Sequence, residues 1–455
     1  MLFLNQKEQE NNSFVLDGDL LQLIDDSTAR RTIIMKTTEI FSEQEMLKIR
    51  ESFHYLEKDF NGNTRLYFDN AGGSFRLKKA EAKFNEIDQI PDCSERHHKM
   101  ALYLQSIEEK GKDDVRTIFN VEGGSIATSL TASQLMFQLV ETVLRFSKGT
   151  NVVTSVLEHP SAYDATETFT TMYNKELRVA KSNKLTGGVD TQEVLSLIDE
   201  DTALLNIMYA SNISGAIYDI PEIIKGAKKI NPDIFIIIDA VQHTPHAVMD
   251  FSELEVDAVT FAPYKYFGTR GIGVGYVSDR LSKLQHNKLL GKDKLDWELG
   301  SPAPAQYAMI TEIVNYVCSL SDGKKDASRR EQFANGMNRI ALHERALLEA
   351  LLDGTENNKG LRDMTNVNVL MDGKDLSKRD LILGIGFDNI EYSDAVREYE
   401  KRDVIVYERV VSSLYSVRML KSFDLEGAVR ISPLHCNNFD DIDRFLSVTQ
   451  EISQL

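Results

Sequence analysis

The stretch IFIIIDAVQHTPH, residues 234–246, places five apolar residues directly before Asp239. A short run that is apolar on both faces predicts a strand buried in the centre of a sheet. The carboxylate of Asp239 then lies at the end of that strand, where its burial is costly unless a cation or a strong hydrogen-bond donor meets it. An isolated aspartate at this point also suits a helix cap, so the neighbouring segments decide between the two interpretations.

The neighbouring segments repeat this pattern. Apolar runs alternate with amphipathic patterns such as DIPEIIKGAKKI, which predicts an α/β fold with a mostly parallel sheet covered by helices. The other apolar runs are NVVTSVL at 151–157, TALLNIMYA at 202–210, DAVTFAP at 257–263 and GIGVGYVS at 271–278. Ligands of such sheets bind beyond the carboxyl ends of the strands. The polar residues that follow the apolar runs, and are therefore the first candidates for a site, are His159, Asn212, Asp239 and Lys265.

Lys265 stands between two tyrosines in FAPYKYFGTRGIGVGY, an otherwise apolar and glycine-rich run. A desolvated lysine is partly neutral at ordinary pH and attacks carbonyl carbons. An aldehyde cofactor with a protonated pyridine nitrogen satisfies both Lys265 and Asp239, because the lysine forms the imine and the carboxylate holds the ring cationic. The two residues together predict pyridoxal 5'-phosphate as the cofactor.

Composition limits the class of partner. The chain has 455 residues, 42% of them hydrophobic, which is enough for two or three globular domains. Its 52 basic and 70 acidic residues give a net charge of −18, so neither nucleic acid nor a membrane surface is expected as a partner. The cysteines, Cys93, Cys318 and Cys436, form no CxxC pair, which predicts no disulfide framework, no metal site and a cytoplasmic location.

Three regions are predicted along the chain. Residues 1–45 are polar and poor in glycine and form an N-terminal extension. Residues 46–330 form a large cofactor-binding domain, whose first segment joins the small domain. Residues 331–455 form a smaller C-terminal α+β domain, which a long helical pattern at 329–354 introduces.

The order of these motifs resembles that of the class V aminotransferase and cysteine desulfurase family of pyridoxal-phosphate enzymes. The resemblance runs from RLYFDNAGGS at 65–74 to AVRISPLHCNNFDDIDRFL at 428–446, and DAVQHTPH followed by YKYFGTRGIG is its most specific part. It implies the transferase fold of type I, with a seven-stranded, mostly parallel sheet in the large domain. It also implies a homodimer that acts on a small amino-acid substrate.

The resemblance assigns a role to each residue at the strand ends. Lys265 matches the lysine that forms the Schiff base and shuttles protons, and Asp239 matches the partner of the pyridine nitrogen. Gln242 matches the donor to the ring hydroxyl, and Asn212, in SNISG, resembles the asparagine on that side of the cofactor. His159, in EHPSAYDA, matches the residue that stacks on the ring, although taken alone it predicts only the start of a helix.

The phosphate of the cofactor also needs donors. TSLTASQLMFQLVETVL predicts a helix that begins near Ala132, whose free amides suit an anion and to which Thr131 adds a hydroxyl. A plain threonine cap has the same geometry, and GGS at 123–125 is a weaker alternative. WELGSPAP resembles the segment that crosses the dimer interface, with Ser301 reaching the phosphate of the neighbouring subunit.

Two residues near the C-terminus are candidates for binding the substrate. Arg430, in VRIS, matches the arginine that binds the α-carboxylate, a task that suits a planar bidentate donor. A strand-edge salt bridge is its structural alternative. His435 either faces the substrate or packs beneath the following helix.

Departures from the family pattern bear on the reaction. Ala262 and Tyr264 stand where many desulfurases have serine and histidine. The stretch 400–430, where desulfurases carry a nucleophilic cysteine on a mobile loop, contains no cysteine here. Cys436 follows VRIS, where a half-buried thiol is the simpler interpretation.

We therefore predict a pyridoxal-phosphate enzyme that acts on an amino acid or an amino-acid conjugate. The favoured reaction is C–S cleavage, cysteine desulfurase-like but without a persulfide cysteine. Transamination, epimerisation and true desulfuration through Cys436 are the alternatives on the same fold. The complete set of cofactor residues argues against a binding protein with a degenerate site. The lack of GxGxxG after the first strand argues against a nicotinamide dehydrogenase.

Overall fold

The computed structural model describes residues 40–91, 94–301, 303–324 and 326–455. Residues 1–39 of the predicted N-terminal extension (1–45) and Cys93 lie outside the described residues. Residues 40–455 form one unit. Within the described ranges, no helix combines the length and the hydropathy that crossing a bilayer requires.

The strands and helices are numbered in chain order. The strands are β1 (Leu66–Tyr67), β2 (Ser125–Ser129), β3 (Asn151–Ser155), β4 (Glu176–Ala180), β5 (Thr202–Met208), β6 (Phe235–Asp239), β7 (Ala258–Phe261), β8 (Gly273–Val277), β9 (Val367–Leu370), β10 (Leu383–Phe387), β11 (Val404–Ile405), β12 (Tyr407–Val410) and β13 (Gly427–Ile431). The helices are α1 (Glu43–Glu51), α2 (Lys78–Asp88), α3 (Lys99–Phe119), α4 (Ala132–Phe146), α5 (Pro160–Met172), α6 (Thr191–Ser196), α7 (Ile220–Ile230), α8 (Asp279–Ser282), α9 (Pro304–Ser319), α10 (Arg329–Asp353), α11 (Tyr392–Glu400), α12 (Val417–Ser422) and α13 (Phe439–Ile452).

A seven-stranded sheet with the order β2-β8-β7-β6-β5-β3-β4 forms the centre of the larger part. Strands β3 to β7 pair in parallel, and β8 pairs antiparallel with both β2 and β7. Every residue of β5 and β6 is buried, because helices cover both faces of the sheet. The predicted α/β class and the mostly parallel sheet are confirmed.

The two faces of β6 pack into different clusters. Ile236 and Ile238 join one hydrophobic cluster, and Phe235 and Ile237 join another. Successive side chains of a strand point to opposite faces, so a central strand with a cluster on each side needs apolar residues throughout. This is the reason why an unbroken apolar run precedes Asp239.

The C-terminal part of the chain contains a second sheet, which has four antiparallel strands in the order β12-β13-β10-β9. A separate hydrophobic cluster lies against it and includes residues of α10 and α13. The long helix α10 begins with a capping box, in which Ser328 and Glu331 bond each other's backbone amides. The helix predicted from 329 is confirmed, while the division of the chain into domains at residue 330 stays a prediction.

Candidate active site

Four neighbouring strands of the large sheet end at the same edge. Asp239 is the last residue of β6, while His159, Asn212 and Lys265 follow β3, β5 and β7. All four residues line one cavity of about 180 Å³, here called the inner cavity. Gln242, Thr131 and Ala132 line it as well. The structure therefore brings together the residues that the sequence predicts for the cofactor, apart from Ser301.

Lys265 ends a short 3-10 turn, Pro263–Lys265, and its side chain is buried. Burial and the neighbouring Arg430 cation lower the pKa of Lys265 from 10.5 to about 8, although Asp239 acts in the opposite direction. About a tenth of the amine is then neutral at pH 7, whereas an exposed lysine is almost wholly charged. The amine is suited to attack a carbonyl carbon.

The Asp239 carboxylate has few partners of its own. Its Oδ1 accepts a hydrogen bond from the Val241 N–H at 3.0 Å, and no other side-chain bond of Asp239 is found in the described part of the chain. Burial raises the pKa of Asp239. A buried carboxylate with a single amide donor fits a cationic ligand group, such as a protonated ring nitrogen.

Three residues that line the inner cavity each have a buried polar atom without a partner. The carbonyl oxygens Asn212 Oδ1 and Gln242 Oε1 and the hydroxyl oxygen Thr260 Oγ1 are buried and make no hydrogen bond to any described residue. Buried polar atoms are normally bonded, so these atoms fit a polar ligand. Thr260 pairs with Asp239 across β6 and β7, and as a lone threonine in an apolar run it gave no signal in the sequence.

Helix α4 begins at the rim of the inner cavity. Thr131 is its N-cap, and its Oγ1 accepts a hydrogen bond from the Gln134 N–H at 3.1 Å, so the helix predicted from Ala132 is confirmed. Gly273 of β8 allows this helix start to lie against the sheet, because a Cβ at that position would be 2.1 Å from the Ala132 nitrogen. Free amides at a helix start suit a phosphate. Residues 123–125 do not line the cavity.

His159 caps a helix and also lines the inner cavity. It is the N-cap of α5, with Nδ1 accepting a hydrogen bond from the Ser161 N–H at 3.2 Å. Its ring also lines the inner cavity. Burial and the Lys265 charge lower the pKa of His159 to about 3, so the imidazole is neutral at physiological pH. Both interpretations of this histidine are compatible with its position.

A wider cavity of about 900 Å³, here called the outer cavity, shares His159, Asn212 and Lys265 with the inner one. Arg430 of β13 lines it and is 2% exposed. Its Nη2 lies 2.5 Å from Asp69 Oδ1, and its Nη1 donates to the Asn212 carbonyl at 3.3 Å. Arg430 is thus in a salt bridge and also faces the cavity that Lys265 faces.

Ser301 and His435 do not join this site. Ser301 is exposed, and its hydroxyl donates to Glu95 Oε2 at 2.7 Å. Its predicted contact concerns a second subunit and stays a prediction. His435 is fully buried, with Nε2 at 2.7 Å from the Tyr316 hydroxyl and with Phe53 and Phe267 packed around it. His435 lines neither cavity, and this aromatic packing agrees with the alternative in which the ring packs in the interior, while its predicted contact with the substrate stays untested.

The described cysteines also lie away from both cavities. Cys436 is fully buried, and burial strongly raises its thiol pKa. Cys318 lies in α9, where burial also raises the thiol pKa. A thiol with a raised pKa is a poor nucleophile at neutral pH.

Several residues of the outer cavity could not be predicted from the sequence, namely Asp69, Arg76, Arg270, Tyr407, Arg409 and Tyr415. Asp69 and Arg270 lie inside motifs that were recognised, yet no pattern showed where their side chains point. Tyr407 and Arg409 belong to β12, a strand too short and too polar to be predicted from its sequence.

Pyridoxal phosphate fits each side of the inner cavity. The Lys265 amine suits the aldehyde of the cofactor, and the Asp239 carboxylate suits its ring nitrogen. The side-chain amides of Asn212 and Gln242 suit the ring hydroxyl, and the start of α4 suits the phosphate. The fold and the cavity together define the class of the protein, which is that of fold type I pyridoxal-phosphate enzymes.

Comparison with known proteins agrees with this class. The sequence model of the family described as Aminotransferase class-V matches residues 66–445, and the chain belongs to this family. It is a pyridoxal-phosphate-dependent enzyme. A probable cysteine desulfurase of Borreliella burgdorferi is 25% identical over 443 residues, covering 90% of this chain and 97% of that protein.

Solved structures show the same fold. The cysteine desulfurase from Thermococcus onnurineus NA1 superposes with a TM-score of 0.74 at 19% identity, covering 90% of this chain and 98% of that one. A NifS-like protein superposes with a TM-score of 0.71 at 20% identity, covering 86% and 100% of the two chains.

Proposed function

We propose that this enzyme cleaves the C–S bond of an amino acid or an amino-acid conjugate without using a cysteine of its own as sulfur acceptor. The observation that carries the proposal is the composition of the segment between β12 and α12, residues 411–416. This segment supplies Tyr415 to the outer cavity and contains the hydroxyls of Ser412 and Ser413, but no thiol. Hydroxyls are poor sulfur acceptors at neutral pH, whereas elimination of a thiol needs no acceptor on the protein.

The protein's part in this reaction is to hold the reactants and to move protons. Pyridoxal phosphate, when bound, supplies an electron sink for the α-carbon of the amino acid. Asp239 would provide the negative charge that keeps the ring nitrogen protonated, and the amides at the start of α4 would hold the phosphate. The neutral ring of His159 would cover the cofactor without adding a charge beside Lys265.

Lys265 and Arg430 act on the amino acid itself. Arg430 binds the α-carboxylate, and the Lys265 amine takes the α-proton, since its lowered pKa leaves part of it neutral. The C–S bond then breaks, and the sulfur leaves with the electron pair and is protonated to a thiol. One water hydrolyses the remaining fragment to pyruvate and ammonium, so that the atoms balance.

The triple variant Cys93→Ala, Cys318→Ala, Cys436→Ala tests the proposal. We expect it to release thiol from an S-substituted cysteine at a rate within about threefold of the unmodified enzyme, because none of the three thiols takes part. Circular dichroism provides the control for folding. Loss of turnover in a folded Cys436→Ala variant, with a persulfide trapped on Cys436 in the unmodified enzyme, would replace this proposal by cysteine desulfuration.

We also propose that the enzyme works as a homodimer in the cytoplasm. Ser301 lies beside the outer side of the α4 start, in a cavity with Leu130 and Leu299, which are 70% and 51% exposed. Exposed apolar side chains next to a segment with a predicted partner suit a subunit interface. The described cysteines, Cys318 and Cys436, are free thiols, as expected in a reducing compartment. Light scattering that returned the mass of one chain at micromolar concentration would contradict the dimer.

A further inference from the structure

Two arginines lie side by side on one face of the four-stranded sheet. Tyr407 of β12 pairs with Arg430 of β13 in the antiparallel register, and Arg409 follows Tyr407 by two positions. Residues two apart on a strand point to the same face, so Arg409 is the diagonal neighbour of Arg430. Both side chains line the outer cavity.

The two guanidinium groups differ in their partners. Arg430 shares its charge with Asp69. Arg409 is 6% exposed, and its Nη2 donates to the Tyr415 carbonyl at 2.7 Å. Its Nε has no hydrogen-bond partner, and no carboxylate of the described residues lies within 4.0 Å of it. A buried cation without a carboxylate in direct contact is costly, so the position of Arg409 fits an anionic ligand.

The charges around the outer cavity agree with this interpretation. Five arginines line it, against two carboxylates, Asp69 and Glu81. Burial and the adjacent Arg430 lower the pKa of Arg409, although Tyr407 and Asp69 act in the opposite direction. An anion bound to Arg409 would offset this electrostatic cost. One α-carboxylate on Arg430 leaves the charge of Arg409 without a partner.

We propose that the outer cavity contains a second anion site, in which Arg409 binds an anionic group at the end of the substrate side chain. The substrate class is then an amino acid or a cysteine conjugate whose side chain ends in a carboxylate or a similar anion. This inference rests on the proposed function, because it places the α-carboxylate on Arg430. The guanidinium of Arg409 lines the outer cavity, and its planar fork is a donor that suits a carboxylate.

Two ligands of nearly equal shape test the anion site. S-carboxymethylcysteine ends in a carboxylate, and S-carbamoylmethylcysteine ends in the neutral amide. We expect the holoenzyme to bind the carboxylate about 10- to 100-fold more tightly, as measured by calorimetry and by the change in cofactor absorbance. In Arg409→Gln this preference falls to within about threefold, while the affinity for the amide is nearly unchanged. Arg397→Gln, which removes an exposed arginine of α11, keeps the full preference.

The outcomes separate this inference from the proposed function. Equal affinity for both ligands, or equal weakening of both by Arg409→Gln, would overturn the second anion site and place Arg409 on the α-carboxylate. Failure of both ligands to bind would also overturn it. A clear preference for the carboxylate without release of thiol would uphold the anion site and refute the proposed cleavage.

Discussion

The Nη2 atom of Arg430 lies 2.5 Å from Oδ1 of Asp69, with the two side chains 3% and 19% exposed. Asp69 precedes the 3-10 turn Asn70–Gly72, and Arg430 lies in β13, so the pair joins the segment after β1 to the four-stranded sheet. The carboxylate keeps a buried cation stable in the absence of substrate. It also orients the guanidinium toward the cavity that contains Lys265.

The Asp69→Asn substitution removes the charge of this pair and keeps its shape. We expect a loss of about 2–4 kcal/mol in the free energy of unfolding, because Arg430 becomes a buried cation without a counter-ion. Denaturant unfolding measures the change. Asp394→Asn breaks an exposed pair with Arg397 and is expected to change stability by less than about 0.5 kcal/mol. If both variants lost the same free energy of unfolding, burial of the Arg430–Asp69 pair would add nothing to stability.

The Lys265 pKa predicts how the apoenzyme takes up its cofactor. Only the neutral amine attacks the aldehyde, and burial lowers the pKa of this amine to about 8. The rate of covalent attachment should therefore rise about tenfold per pH unit below pH 8 and level off above it. Stopped-flow absorbance measures the rate, with Nα-acetyllysine as the control, whose rate keeps rising past pH 10. A protein rate that rises in the same way would contradict the lowered pKa.

Position 273, beside the predicted phosphate site, has no room for a side chain larger than that of glycine. Gly273→Ala places a methyl group about 2.1 Å from the Ala132 nitrogen, so the start of α4 must move. We expect a loss of about 1–3 kcal/mol in stability and at least a tenfold weaker affinity for the cofactor. Gly291→Ala is the matched control, because a Cβ there has no neighbour within 4 Å. Unchanged cofactor affinity in Gly273→Ala would place the phosphate elsewhere.

Asp239→Asn tests the carboxylate at the end of β6. The amide has the same shape but no charge to hold a ring nitrogen protonated, so we expect the turnover number to fall by about 10²-fold or more while the protein stays folded. Asp233→Asn, an exposed change shortly before the same strand, is expected to leave the turnover number unaltered. Near-normal turnover of Asp239→Asn would show that another group tunes the cofactor.

The sequence predicted the residues that follow directly from strands and missed those that depend on packing between distant segments. Asp239 and Lys265 could be placed because a central strand is apolar on both faces and its first polar residue must lie at the sheet edge. Arg409 could not be placed, since its role depends on the register between β12 and β13. His435 shows the same limit, because only the packing of Phe53 and Phe267 around it decides between the two alternatives.

Product analysis with S-carboxymethylcysteine distinguishes elimination of a thiol from transfer of sulfur to the protein. We expect pyruvate, ammonium and the free thiol in equal amounts, with no sulfur left on the protein, because elimination expels the thiol without an acceptor. Alanine in place of pyruvate, together with a persulfide on a cysteine of the protein when free cysteine is the substrate, would contradict this expectation.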